Sequence, residues 1–187
     1  MEVPVASLWL PILLSAVAVF VVSSILHMVL PYHRKDYRQV PNEGEAMATL
    51  RKGGLTPGLY HFPWGNNPKE MSSPEMVARL KEGPVGILAV MPSGPMNMGK
   101  FLGLWFVYTL LVSLFVGYLL ACTLGAGTEA MHVFRVASAA AFLSFALPYF
   151  ADSIWKAYPW GVSVKSMFDG LLYSLAAGGV FAWLWPG

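Results

Sequence analysis

Charge is scarce in this sequence. Only 12% of its 187 residues are Asp, Glu, Lys or Arg, and none of these lies between Val3 and Tyr32 or between Phe101 and Thr128. A soluble domain of this size carries roughly a quarter charged residues, so an ordinary water-soluble fold is excluded. Cysteine is nearly absent too. The single Cys122 rules out an internal disulfide and a cysteine metal cluster. A net charge of +2 gives no sign of a nucleic-acid partner, and the chain has no internal repeat and no low-complexity tract. Nor does it open with a basic region: Met1-Glu2-Val3-Pro4 puts an acid there, and the apolar run that follows is longer than a leader's core. The expectation is a retained helix.

What the chain has instead is apolar surface, 56% of its residues with a mean hydropathy of +0.56. A helix needs roughly 20 apolar residues to cross the hydrocarbon core, and both charge-free blocks are long enough. Two shorter candidates lie between Val136 and Ala151 and between Gly170 and the C-terminus. The fold expected is an all-α membrane protein of four transmembrane helices, with a small α+β cytoplasmic segment between helices 1 and 2. The divisions are residues 1–31 for the first helix, 32–99 for the cytoplasmic segment and 100–187 for a three-helix transmembrane bundle.

Orientation follows from the basic residues. Nine of the twelve lie between the first and second helices, two more, Lys156 and Lys165, between the third and fourth, and only Arg135 breaks the pattern. The positive-inside rule then puts 32–99 in the cytoplasm and both termini on the periplasmic side. Trp9, Trp155, Trp160, Trp183 and Trp185 fall near helix ends, where amphipathic rings settle.

Inside the 32–99 segment, Asn42 with Glu45 predicts a helix start and Gly53-Gly54 its end. Ser73-Pro74-Glu75 predicts a second helix that closes at Gly83-Pro84. Leu59–Phe62 reads as extended and Val85–Val90 as a buried strand, able to pair in a hairpin.

Gly94-Pro95-Met96-Asn97-Met98-Gly99-Lys100 fills seven places of the phosphate-loop pattern GxxxxGK[ST]. The eighth is Phe101, which has no hydroxyl for magnesium, and Pro95 removes a backbone donor. Nucleotide binding is therefore not expected. Lys100 instead reads as an anchor or as a holder of a lipid phosphate, together with the basic cluster His33, Arg34, Lys35 and Arg38 below the first helix. A polar interfacial site is expected around Tyr149, Asp152, Lys156 and Asp169, with Tyr158 nearby, each aspartate having a lysine four positions away. Pro148 frees the Ser144 carbonyl and predicts a kink. No charge lies near a helix midpoint, which counts against an ion pathway.

Histidines can hold haem or a pigment. His27 and His132 are expected at opposite ends of the bundle, too far apart to share one group, so only single-histidine ligation stays open and no cofactor is predicted. His27 and His33, six apart, would fall on different faces of a continuous helix, which argues against a metal pair. No catalytic set converges on sequence grounds.

Small residues recur every fourth position at Gly117, Ala121 and Gly125, and at Ser174, Gly178 and Ala182. That spacing lets helices approach closely, within the chain or against a partner.

His33-Arg34-Lys35-Asp36-Tyr37, with Pro92-Ser93-Gly94-Pro95 and Asn97-Met98-Gly99-Lys100, resembles a family of uncharacterised small bacterial polytopic inner-membrane proteins. The likeness covers the first helix, the polar segment and the start of the second helix. It implies a bacterial inner membrane and carries no function. Two functional readings follow from the residues. One is a non-catalytic accessory or scaffold subunit of a larger membrane complex, respiratory or photosynthetic in type, with other subunits or itself as partners. The alternative is a membrane-embedded enzyme or lipid-headgroup-binding protein acting at the cytoplasmic surface.

Overall fold

The computed structural model describes residues 2–187. Along the chain a 3₁₀ turn, Val5–Leu8, leads into α1 (Trp9–Ser24), followed by a π turn (Ile25–Val29) and a 3₁₀ turn (Pro31–His33). Then come α2 (Glu43–Lys52), β1 (Gly58–Phe62), α3 (Pro68–Met71), α4 (Pro74–Glu82) and β2 (Gly86–Val90). Four helices close the chain: α5 (Met98–Thr123), α6 (Ala130–Phe145), α7 (Pro148–Trp155) and α8 (Trp160–Trp183). Residues up to Asp36 form one compact unit with Asn97–Gly187, and Tyr37–Met96 form a second. Residues 32–36, expected to open the polar segment, are thus held with the helices.

Three helical stretches are long and apolar enough to cross a membrane: Val5–Val29, Met98–Thr123 and Ala130–Trp155. On α1 and the first residue of the π turn after it, Leu10, Leu13, Val17, Val21 and Ile25 are exposed at helical spacing, as are Leu104, Val107, Leu111, Leu114 and Phe115 on α5. Stripes of this length are sustainable where hydrocarbon is the solvent.

The inner faces are small and tight. The α1/α5 pair is antiparallel: Glu2 bridges Gly125, Ile12 meets Gly117, and Trp105 Nε1 donates to Ser23 Oγ at 2.8 Å. Helices α6 and α8 form the closest pair. Gly170 backs onto the Phe145 carbonyl and Gly178 onto Ser138 and the Phe134 carbonyl, so a side chain at either glycine would collide with the neighbouring helix. Leu8, Val19, Leu120, Val133, Ala137, Ala141, Ala177 and Phe181 complete a core that is 1% exposed or less at each position.

The third span is broken as Pro148 predicts. Helix α6 ends at Phe145, and Pro148 takes the first position of α7. The Ser144 carbonyl released by the proline is taken by the Tyr108 hydroxyl of α5 at 3.1 Å. The last helix departs from expectation. It begins at Trp160 rather than near Gly170, and so carries Lys165 and Asp169 within its length. Those two charges set the sequence boundary too late; each has a partner inside the protein, so neither needs to end the helix.

In the second unit β1 pairs antiparallel with β2 in the register Gly58↔Val90 to Phe62↔Gly86. Ser73 caps α4 by accepting the Met76 N–H at 3.2 Å. Strand β2 alternates between half-buried and exposed positions, whereas the sequence reads it as buried; with two strands there is no second layer to cover both faces. Asn42 precedes α2 in a left-handed conformation (φ 51°), and its side chain makes no cap. Asn67, which the sequence reading passed over, caps α3 by accepting the Glu70 N–H at 2.9 Å.

Candidate functional site

The polar groups of the helical unit gather at the end of the bundle where α1 finishes and α5 begins. Local backbone makes this possible. The π turn at Ile25–Val29 underwinds the end of α1, Leu30 is extended (φ −81°, ψ 135°), and the 3₁₀ turn Pro31–His33 brings the chain back. As a result the His27 and His33 rings stack with centroids 4.4 Å apart. The six-residue spacing would separate them on a regular α-helix, so that expectation is corrected: π turns of this kind recur at functional sites because they re-aim side chains.

Asp169 of α8 lies beneath the pair, with 3% of its side chain exposed. Its Oδ2 is 2.8 Å from His33 Nε2 and 3.9 Å from His27 Nε2, and the Tyr32 hydroxyl donates to its Oδ1. His33 is held from the other side as well, its Nδ1 lying 2.6 Å from Asp36 Oδ2. Lys165 closes the ring of contacts, donating to Asp36 Oδ1 at 2.5 Å and to the Tyr32 carbonyl at 2.9 Å. The Lys165 ammonium, then the His33 ring, hold the Asp36 carboxyl below its ordinary range. Tyr173, one turn beyond Asp169, places its hydroxyl 3.1 Å from His27 Nε2.

Above this network is a cavity of about 320 Å³. Its walls are largely apolar, with Met28, Phe101, Leu102 and Trp105; its polar floor is His27, Asp169 and Tyr173, and Tyr149, Ser24 and Ser166 lie at its side.

No protein-family model, curated protein or solved structure matches this chain.

The geometry sorts the residues singled out in the sequence. His27, His33 and Asp169 come together, and Tyr149 shares the cavity with Asp169. Asp152 and Lys156 do not join them; they pair with each other at 2.7 Å, and Asp169 pairs with the histidines rather than with Lys165. Arg34, Lys35 and Arg38 are exposed, whereas His33 is turned inward. Lys100 is exposed at the start of α5, where the Asn97 side chain accepts its N–H at 3.0 Å and so takes a helix-end donor that a phosphate would need. His132 is exposed on the first turn of α6, away from the network. Among the small residues Gly117, Ser174 and Gly178 are buried and Ala121 and Ala182 half-buried, while Gly125, exposed, gives its carbonyl to Trp185 Nε1 at 3.1 Å.

Tyr32, Asp36, Lys165 and Tyr173 were not among the candidates. In the sequence Asp36 stands out only as part of a basic run, and Lys165 as a basic residue four positions from Asp169. The signal for Tyr32 and Asp36 is the interruption of α1 before Pro31, which lets Tyr32, His33 and Asp36 turn inward.

Proposed function

We propose that the chain is a four-helix protein of the bacterial inner membrane that binds the polar head of a lipid-soluble molecule at its cytoplasmic end. Helix α8 serves as the fourth span, since its 24 residues exceed the ~20 needed and its two charges are neutralised internally. Exposed Arg34, Lys35 and Lys100 at one end and the Trp9 and Trp183 rings at the other favour this orientation. The observation that carries the binding reading is the cavity: apolar walls facing the membrane-spanning helices, with His27, Asp169 and Tyr173 converging at its floor. A buried carboxylate disfavours a bare phosphate and suits a hydroxyl or amine head that donates to it.

The accessory-subunit reading loses one of its supports. Gly117 packs on Ile12 and Phe181, and Gly178 on Ser138, so at these two glycines the close approach is made within the chain.

Purification in mild detergent, followed by mass spectrometry of bound lipids and proteins, tests the proposal. Wild type should retain a stoichiometric lipid-soluble compound, and Ser24→Phe, which fills the cavity, should lose it. Equal retention by both would overturn the binding reading. Reproducible stoichiometric protein partners and no bound lipid would make the chain an accessory subunit instead.

A further inference from the structure

We infer that His27, His33 and Asp169 form a binding site for a divalent transition-metal ion, with its open coordination positions facing the cavity. The three side chains each offer one ligand atom, and these atoms lie within 4.8 Å of one another. They come from two separate segments, the end of the first span and the middle of α8, so the grouping is a product of the fold and not of sequence proximity.

The distances fit. Zinc bonds to imidazole nitrogen and carboxylate oxygen are about 2.0–2.1 Å, which sets neighbouring ligand atoms about 3.3 Å apart in a tetrahedral sphere. Asp169 Oδ2 stands at 2.8 Å from one imidazole nitrogen and 3.9 Å from the other. Shifts of about half an ångström in opposite senses would bring both of these pairs to that spacing.

The surroundings are those a metal-bound histidine requires. Ligand imidazoles give their second nitrogen to a carboxylate that fixes the tautomer and the ring. His33 is placed to do so: with Nδ1 donating to Asp36, loss of the Nε2 proton that now faces Asp169 would free that atom for an ion, and Lys165 in turn fixes Asp36. Asp169 is buried and, among the described residues, its ion pairs are with the two histidines alone, which must be neutral to bind a metal, so its charge then needs another counter-ion. A dication there would offset it.

Two imidazoles and one carboxylate select a borderline ion such as Zn(II) or Fe(II) over Ca(II) or Mg(II). His27 and Asp169 line the cavity while His33 does not, so the ion is backed by protein on one side and open on the other, in the manner of a reactive rather than a purely structural site. The Tyr173 hydroxyl, now on His27 Nε2, would turn to a water in the open position.

The test uses full-length protein in detergent with a tag free of histidine and with His61→Gln and His132→Gln in the reference chain, so that no other imidazole contributes. After chelator treatment, Zn(II) alone is titrated and counted by elemental analysis, and Co(II) alone is read by its visible absorption. The reference should bind one ion per chain and give Co(II) bands. His33→Gln and Asp169→Asn should abolish both, and Asp36→Asn, a positioning change, should weaken binding about 10–100-fold with the bands retained. If Asp169→Asn does not fold, His27→Gln, at a half-exposed position, takes its place. No stoichiometric ion in the reference, or the same ion content in His33→Gln, would overturn the assignment. The inference does not rest on the cavity's lipid: loss of metal with retained lipid, or the reverse, tells the two failures apart.

Discussion

His33 Nδ1 lies 2.6 Å from Asp36 Oδ2, three residues on, and the other Asp36 oxygen accepts from Lys165 at 2.5 Å, which ties the turn after α1 to α8. Asp36 is nearly buried, whereas Lys165 is more than a third exposed. Removing one member of a fully buried pair costs roughly 3–5 kcal/mol, and the partly solvated ammonium reduces that. Asp36→Asn should destabilise the protein by about 1–2 kcal/mol. Lys165→Ala should cost a similar amount, and the double variant less than the sum of the two, as read by thermal melting in detergent. Strict additivity would mean that the pair is not coupled.

Much of this architecture was legible from the sequence, and the exceptions share a cause. Long uncharged blocks mark the first two spans because an unpaired charge in hydrocarbon is costly. Ser73-Pro74 marks α4, and alternation with glycine boundaries marks the hairpin. Lys165 and Asp169 misled because hydropathy treats every charge as solvent-seeking. Only the tertiary structure shows that Asp36 and the histidines neutralise them. The meeting of His27 with His33 was hidden more deeply, since it depends on one π turn and one extended residue. No periodicity rule based on 3.6 residues per turn anticipates either.

The Tyr108 hydroxyl and the Ser144 carbonyl make a second local test. The bond exists because Pro148 cannot supply the N–H that Ser144 would otherwise receive. Polar contacts between membrane helices are worth about 0.6 kcal/mol on average and up to about 1.7. Tyr108→Phe should therefore lower stability by about 1 kcal/mol. In a Pro148→Ala background, where α6 and α7 can join and satisfy the carbonyl, the same change should cost close to nothing. Equal losses in both backgrounds would mean that the hydroxyl acts through packing alone.

Two glycines of α8 separate close approach from helix propensity. A Cβ at Gly170 would lie 2.6 Å from the Phe145 carbonyl oxygen and 2.9 Å from Ala146 Cα, both backbone atoms that cannot rotate away. At Gly179 it would meet nothing within 4 Å. Gly170→Ala should force α6 and α8 apart at a cost of about 2–3 kcal/mol, while Gly179→Ala should be neutral or slightly stabilising. Unfolding of the two variants side by side decides the point, and equal stabilities would contradict the packing described.

In the second unit Glu70 offers a pH test. Its carboxylate accepts the Asn66 backbone N–H at 2.7 Å, the Asn66 side-chain amide at 3.0 Å and the Asn67 amide at 3.2 Å. These donors, the Asn66 backbone first, hold the Glu70 carboxyl below its ordinary value of 4.5. A group whose ionised form is favoured in the folded state binds its proton later than the unfolded chain does. Its contribution is therefore present above pH 4.5 and is lost as pH falls through the lower folded value. The Asn66 amide resonance should stay constant from neutral pH down to that range and move only below it. Glu70→Gln should remove the transition while leaving the Asn67 cap of α3 in place. An Asn66 shift that titrates above pH 4.5 would show that the ionised carboxylate is not what the turn is built around.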